Sequence, residues 1–402
     1  MPVDYMTVKE ASRRWSVTER LVQRLCADGR IDGAVKFGRS WGIPVSARKP
    51  GDPRRMPAHA PAAPHPRRLP GGHADLMPLL NTAFAPGCAH EAIKALGIGP
   101  RADIARAELA YFTGRADEAA RIAGTYLPSV NFEIHLSACL ISAFANLPLG
   151  NIDRACRALD GARSAIAQAS VENPQIRAAE GFIAQAASTL LHLPAPVDAP
   201  DAKDVMPLLP AGLRAFAFYV QAHAVYLAGD YARSLGIAET ALMGMEEVYP
   251  IPAIYLHLIT VMDLMSLRRT EQARAHLLAA WELARPDDLI EGFGEHHGLL
   301  GGMLEAVIKP AWPEDFRRII DITYRFSAGW RRVHNPATGH DVADNLTTTE
   351  FAASMLAARG WTNQEIAQHM GVSVNTVKSY ISSSLQKLGI ARRQDLKNHM
   401  LA

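Results

Sequence analysis

The chain has 402 residues, of which 49% are hydrophobic and 20% charged, a composition that excludes global disorder and leaves room for two or three domains. Its net charge of +2 conceals an asymmetry: residues 1–55 carry 12 basic and 6 acidic side chains, residues 345–402 carry 6 and 3, and the span between them is −7. An acidic middle of that size is repelled by a polyanion, whereas basic ends attract one and release its counterions, so the ends are the candidates for contact with nucleic acid.

At the N-terminus Thr7-Val8-Lys9-Glu10 has the form of a capping box and opens a helix to about Trp15. Ser16-Val17-Thr18 makes a turn, and Glu19 to Ala27 reads as a second helix. After Gly29, the alternation Val35/Phe37 and Trp41/Ile43 around Gly33 and Gly38 predicts a small hairpin ending at Pro44. Two helices followed by a wing resemble the winged-helix domains of MerR and excisionase proteins over about 45 residues, giving a first domain at 1–50. That resemblance implies a second DNA-binding module in which Thr18, Arg20, Gln23 and Arg24 face the groove, with Lys36 and Arg39 flanking it from the wing. A folding or protein-docking module on the same scaffold is the alternative, since a fold alone does not define a function.

From Pro44 to Pro78 there are nine prolines, with Arg48, Lys49, Arg54, Arg55, Arg67, Arg68 and Gly71-Gly72, and no apolar periodicity. Residues 51–77 therefore read as a basic linker; extended at about 3.1 Å per residue it reaches roughly 75 Å.

Residues 78–341 are alanine-rich, with helical periodicity and a recurring turn. Gly114-Arg115-Ala116-Asp117-Glu118-Ala119, Gly150-Asn151-Ile152-Asp153-Arg154-Ala155 and Gly229-Asp230-Tyr231-Ala232-Arg233-Ser234 share it. The first two glycines are 36 apart and the third 79 further on, about twice that period, with the Leu193-Pro194 break midway. A fourth turn falls at Leu267-Arg268-Arg269-Thr270-Glu271-Gln272-Ala273. Stacked helical hairpins follow from this pattern, which resembles tetratricopeptide-like solenoids without their full consensus. Tyr111, Phe112, Tyr219, Tyr226, Tyr255 and Trp281 read as core, with a ligand groove as the alternative. Asp287, Glu291 and Glu295 beside His296-His297 read as a charged solvent face rather than a metal cluster, because Gly292 and Gly294 intervene.

Three Ser/Thr-initiated segments follow Asn345. Thr347-x-x-Glu350 and Thr362-x-x-Glu365 are capping boxes and Ser373 is an N-cap, predicting helices near 348–359, 363–370 and 374–388, with a fourth near 392–401. Met370-Gly371-Val372-Ser373 supplies the tight turn, and Ala367 allows a close crossing. Val377, Ile381, Leu385 and Leu388 face inward, which leaves Asn375, Lys378, Ser379, Ser382, Ser383 and Gln386 outside on a polar, acid-free surface suited to a major groove. Leu346-Thr347-x-x-Glu350, Gly360-Trp361-Thr362-Asn363-Gln364-Glu365-Ile366-Ala367, and Ser373-x-x-Thr376-Val377-Lys378-x-Tyr380 through Lys387-Leu388-Gly389-Ile390-x-x-Arg393 resemble the LuxR-type helix-turn-helix over about 57 residues. The resemblance implies a DNA-binding domain at 342–402, with base contacts from Lys378, Ser379 and Ser382. It further implies phosphate contacts from Thr376, Lys387 and Asn375, a structural pair between Glu350 and Arg393, and a homodimer through the fourth helix. Tyr380 departs from the family's common histidine, and serines stand where other members carry larger basic residues.

The mainly α reading is thus of a winged helix with a small β-hairpin, an α-hairpin solenoid and a four-helix LuxR-type reader. It implies a transcription regulator that binds double-stranded DNA, with a small molecule or protein as effector on the solenoid; the alternative is an interaction scaffold with vestigial DNA-binding ends. No nucleophile–base or metal constellation points to an enzyme, and no cofactor is expected. Gly-x-x-x-x-Gly-Lys-Ser/Thr is absent, as is a phosphoreceiver's acidic cluster. The first residues lack a secretory layout, and the most apolar stretch, 251–267, is short for a membrane span and broken by His257 and Asp263, so a cytoplasmic protein away from membranes is expected. Cys26, Cys88, Cys139 and Cys156 are widely spaced without a Cys-x-x-Cys pair and are expected as buried, reduced thiols.

Overall fold

The computed structural model describes residues 5–15, 17–27, 31, 33–38, 40–47, 75–168, 174–191, 202–338 and 346–400. The chain divides into two compact units, the first ending at Arg68 and the second beginning at Leu69. Most of the expected linker, the Leu193-Pro194 break and Arg39 lie outside the described residues.

In the first unit β1 (Tyr5–Thr7) leads into α1 (Val8–Arg14), followed by α2 (Glu19–Ala27), β2 (Val35–Phe37) and β3 (Ser40–Pro44). Thr7 and Glu10 close the capping box reciprocally: the Thr7 N–H donates to the Glu10 carboxylate at 2.7 Å, and the Glu10 N–H donates to the Thr7 hydroxyl at 3.3 Å. The expected hairpin is present, but the sheet has three strands in the order β1-β3-β2, all antiparallel, with Met6 opposite Ile43 and Lys36 opposite Trp41. The added strand escapes sequence patterning because it is three residues long and places one side chain, Met6, inward. Met6, Ala11, Trp15, Val22, Leu25, Cys26, Ile31 and Ile43 form this unit's core.

The second unit is built of helices: α3 (Ala89–Ala95), α4 (Pro100–Phe112), α5 (Ala116–Tyr126), α6 (Phe132–Asn146), α7 (Ile152–Gln168), α8 (Pro174–Leu190), α9 (Ala202–Val205), α10 (Ala211–Leu227), α11 (Tyr231–Met243), α12 (Pro250–Ser266), α13 (Thr270–Ala284), α14 (Glu291–His296), α15 (Lys309–Ala311) and α16 (Pro313–Thr338). Sequential helices pack on one another from α4 to α7 and from α10 to α13. Gly114, Gly150 and Gly229 take positive φ (78°, 71° and 82°) at the turns between paired helices, where a side chain is disfavoured. Core packing begins earlier than the expected linker end at residue 77: Leu76 is fully buried, and the Leu79 and Leu80 N–H groups donate to the carboxylate of Glu108 at 2.9 and 3.0 Å. Burial pushes the Glu108 carboxyl up to about 8 despite those two donors.

The apolar stretch noted in the sequence is α12, whose residues from Pro250 to Met265 are buried apart from His257, a half-buried ring hydrogen-bonded to His276 at 3.0 Å. Its Asp263 is fully buried and accepts a hydrogen bond from Ser234 at 2.7 Å; desolvation pushes this carboxyl up to about 8. Among the described residues no helix is long and apolar enough to cross a membrane. All four cysteines are free, but only Cys26 and Cys139 are buried; Cys88 is half-buried and Cys156 is exposed, correcting the expectation of four buried thiols.

Helix α16 packs against α14 and α7. Its Gly329 lies so close to the backbone of Leu147 that a Cβ there would overlap the Leu147 carbonyl, and the neighbouring Trp330 indole donates to Leu190 O at 3.0 Å. An exposed helical glycine gains up to about 1 kcal/mol when replaced by alanine. Gly329→Ala is expected to do the opposite and lower unfolding free energy by about 2 kcal/mol through overpacking, measured by urea denaturation. An unchanged or raised midpoint would contradict this seating of α16.

Candidate nucleic-acid interface

The C-terminal helices are α17 (Thr348–Ala358), α18 (Asn363–Met370), α19 (Val374–Leu388) and α20 (Leu396–Met400), the last preceded by a 3₁₀ turn at Arg393–Asp395. Each of the first three starts on a hydroxyl cap: Thr347 accepts from the Glu350 N–H at 3.2 Å, Thr362 from the Glu365 N–H at 3.2 Å, and Ser373 from the Thr376 N–H at 3.0 Å. Gly371 sits at φ +65° between α18 and α19, where the Val372 N–H returns to Ala367 O at 3.0 Å and closes the turn. Ala352, Ala353, Leu356, Trp361, Ile366, Ala367, Met370, Val377, Ile381 and Leu396 are buried and fix the crossing of these helices. Leu385 and Leu388, expected inside, are only partly so.

Asn375, Lys378, Ser379, Ser382 and Gln386 are exposed along one stripe of α19 at offsets of 3, 4, 7 and 11 from Asn375, and α19 contains no acidic residue. The Thr376 hydroxyl lies 2.7 Å from that of Ser373, at the positive end of the α19 dipole. Ser383, expected on the outer face, is half-buried and donates to Glu350 at 2.6 Å.

The expected pair between Glu350 and Arg393 is replaced by another. Glu350 accepts from Lys387 Nζ at 2.7 Å, from Ser383 and from the Thr347 N–H, which joins the start of α17 to the last turn of α19. Burial raises the Glu350 carboxyl, but the Lys387, Ser383 and Thr347 donors outweigh it and hold the group at about 2. Arg393 donates instead to the Asn363 side chain and to Trp361 O, beside the start of α18. Lys387, expected on phosphate, thus has its ammonium committed to a carboxylate. The reason is positional: the final turn of α19 passes over the α17 N-terminus, whereas the chain reverses at Gly389 (φ +66°) before reaching Arg393.

In the N-terminal unit Thr18, Arg20, Gln23, Arg24 and Lys36 are exposed, with Val22, Leu25 and Cys26 on the inner side of α2. The Lys36 ammonium lies 5.8 Å from the centroid of the Trp41 ring, a cation–π contact.

The solenoid interior corrects the reading of the acidic and histidine residues at 287–297 as a solvent face. Glu291, His296 and His297 are buried, because α14 packs against α4, α12 and α16. His296 lies 2.8 Å from the Tyr219 hydroxyl, His297 2.8 Å from Glu305, and Glu295 accepts from the hydroxyls of Tyr111 and Tyr255. Desolvation raises the Glu291 and Glu295 carboxyls. Among the described residues no group of three metal-ligating side chains converges. Tyr111, Phe112, Tyr255 and Glu295 line a cavity of about 70 Å³ with Phe144, Phe182 and Phe216. Of the other expected aromatics, Tyr219 and Trp281 are buried in the core, and Tyr226 accepts a hydrogen bond from Arg359.

Residues 344–400 match the family model of the bacterial regulatory proteins of the luxR family, GerE. Over 54 residues the chain is 41% identical to the "Probable transcriptional regulatory protein SgaR" of Hyphomicrobium methylovorum, a stretch covering 13% of this chain and 26% of that protein. The chain therefore spans about a quarter of the length of this curated relative. No solved structure matches the chain. The C-terminal four helices are a luxR-family helix-turn-helix domain, and the match supports a role in transcription regulation.

Because Glu350 titrates below its ordinary value, it stabilises the domain above about pH 4.5, and that contribution is lost as pH falls through about 2. Glu350→Gln is expected to cost about 2 kcal/mol at neutral pH by leaving Lys387 unpaired. Amide exchange across 347–388 should speed up accordingly, and the acid dependence between pH 4.5 and 2 should flatten. Wild-type protection in the variant would remove Glu350 from the account.

Proposed function

We propose that this protein is a sequence-specific DNA-binding transcription regulator whose C-terminal domain reads the major groove with α19. The observation that carries this reading is the acid-free stripe of Asn375, Lys378, Ser379 and Ser382, exposed on a capped helix held by two capped neighbours. Lys378 donates to guanine O6 or N7, Ser379 and Ser382 to base edges, and Asn375 and Thr376 to phosphates near the α19 N-terminus. The exposed Lys397, Asn398 and His399 on α20 flank a homodimer contact that sets two readers on paired half-sites. The tetratricopeptide-like solenoid takes an effector, either a small molecule or a protein partner.

Lys378→Ala leaves the fold intact, because the side chain is exposed. It should lower the preference for the selected duplex over random DNA by about tenfold or more, the loss expected for a good base contact, in fluorescence anisotropy. If selectivity is unchanged, or if the wild-type chain has none, the interaction-scaffold reading replaces this one.

The MerR/excisionase-like N-terminal unit adds a second DNA contact through Thr18, Arg20, Gln23, Arg24 and Lys36, a reading supported by their common exposure and the excess of basic residues in 1–55. Replacing both Arg20 and Arg24 by alanine should make the salt dependence of full-chain binding shallower by roughly two phosphate contacts, a change of about 1.8 in the log–log slope. An unchanged slope would make this unit a docking module.

A further inference from the structure

Three of the four solenoid turns place glycine at the same register: Gly114, Gly150 and Gly229, with φ of 78°, 71° and 82°. Each closes its turn by donating its N–H to the carbonyl three residues earlier, at 2.9, 2.9 and 2.8 Å. The fourth turn has the same closure, Arg268 N–H to Met265 O at 3.2 Å, and the same left-handed conformation at φ +59°, but the residue is arginine. A bulky side chain is disfavoured there, so the position calls for a compensating contact outside its own turn.

That contact is with the luxR-family domain. The Arg268 guanidinium donates to Gly360 O in the turn between α17 and α18, and its second arm lies 3.5 Å from Glu365. The adjoining Arg359 reaches in the opposite direction, from the domain to the solenoid, donating to the Tyr226 hydroxyl and to Leu299 O at 3.0 Å. Between them lies a bed of glycines. A Cβ on Gly298 would overlap the Phe351 ring, and one on Gly301 would come within 2.8 Å of Arg359 Nη1. Gly301 also offers its carbonyl to His369 at 3.0 Å. These contacts use α17 and α18, while Asn375, Lys378, Ser379 and Ser382 on α19 stay exposed.

We propose that Arg268 and Arg359 are positioning residues that lock the α17–α18 turn onto the solenoid, Arg268 from the α12–α13 hairpin and Arg359 onto Tyr226 at the end of α10 and Leu299 beyond α14, so that the solenoid sets the orientation in which α19 is presented. The clamp does not cover the reading stripe; it presets its direction, and any displacement of the α12–α13 hairpin is carried to the reader through the Arg268 guanidinium. The consequence for DNA rests on the function proposed above, whereas the clamp itself is tested without DNA.

Arg268→Gly in the full chain restores the residue of the other three turns, so it relaxes the local backbone while removing the fork. Hydrogen exchange read by mass spectrometry should rise about tenfold or more in peptides covering 297–303 and 355–366, with α12 as protected as in wild type. Arg268→Lys, which keeps the charge but not the fork, should fall between the two. Wild-type exchange in both variants would overturn the clamp whether or not the protein binds DNA. For duplexes selected by the wild-type chain, Arg268→Gly should lower affinity several-fold while binding to random duplex is unaltered, a split that general destabilisation would not give. Loosened exchange with unchanged selective affinity would overturn the positioning role, and failure of the wild-type chain to select any duplex would count against the DNA reading while leaving the exchange result to decide the clamp.

Discussion

The carboxylate of Glu350 is the point on which the geometry of the C-terminal domain turns. It caps the N-terminus of α17 through the Thr347 N–H, takes the Lys387 ammonium and Ser383 hydroxyl from the far end of α19, and is itself nearly buried. A buried charge that lost these partners would be strongly disfavoured, so the two helices can separate or slide only by breaking all of the bonds together. With α19 fixed along its inner side by Val377 and Ile381 and at its end by this carboxylate, the remaining stripe is free of structural duties. It can therefore be polar, short and unpaired with acid, as an approach to a polyanion requires.

The same logic operates one level up. The solenoid is a stack of antiparallel helices whose reversals depend on left-handed turns, three of them supplied by glycine. Where the fourth reversal meets the luxR-family domain, an arginine occupies the left-handed position and its guanidinium crosses to Gly360, itself a left-handed turn residue at φ +81°. Two chain reversals thus abut, one from each part, and the one between α17 and α18 offers the Gly360 carbonyl to the Arg268 guanidinium. Guanidinium forks suit such carbonyls because they present several donors in a fixed plane. On the proposed function, the net charge of −7 between the basic ends would repel DNA from the solenoid, whereas α19 carries no acidic residue.

Local signals made much of this legible in the sequence. The starts of α17, α18 and α19 follow from Thr347, Thr362 and Ser373 because a cap is decided within four residues, and the observed bounds of α18 and α19 coincide with those expected. The turn glycines were legible for the same reason. What stayed hidden depends on distant partners: Lys387 rather than Arg393 on Glu350, α14 enclosed by α4, α12 and α16, and a third strand too short to show a period. The residues at 287–297 were misread because charge density normally marks a solvated face. Here Glu295 is bonded to Tyr111 and Tyr255, His296 to Tyr219 and His297 to Glu305 inside the solenoid. Arg268 was visible as a break in a glycine repeat, but its meaning needed the fold, since Gly360 and Glu365 lie about ninety residues away in sequence.

The central claim is that the exposed stripe of α19 reads base sequence, and selection of duplexes from a randomised pool by the full chain tests it most directly. The account predicts enrichment of a defined motif, arranged as two half-sites about one helical turn apart, which is the spacing two symmetry-related recognition helices impose. A bound pool with the same sequence composition as the input, retained only at low salt, would mean that the basic ends hold phosphate without reading bases, and would contradict it.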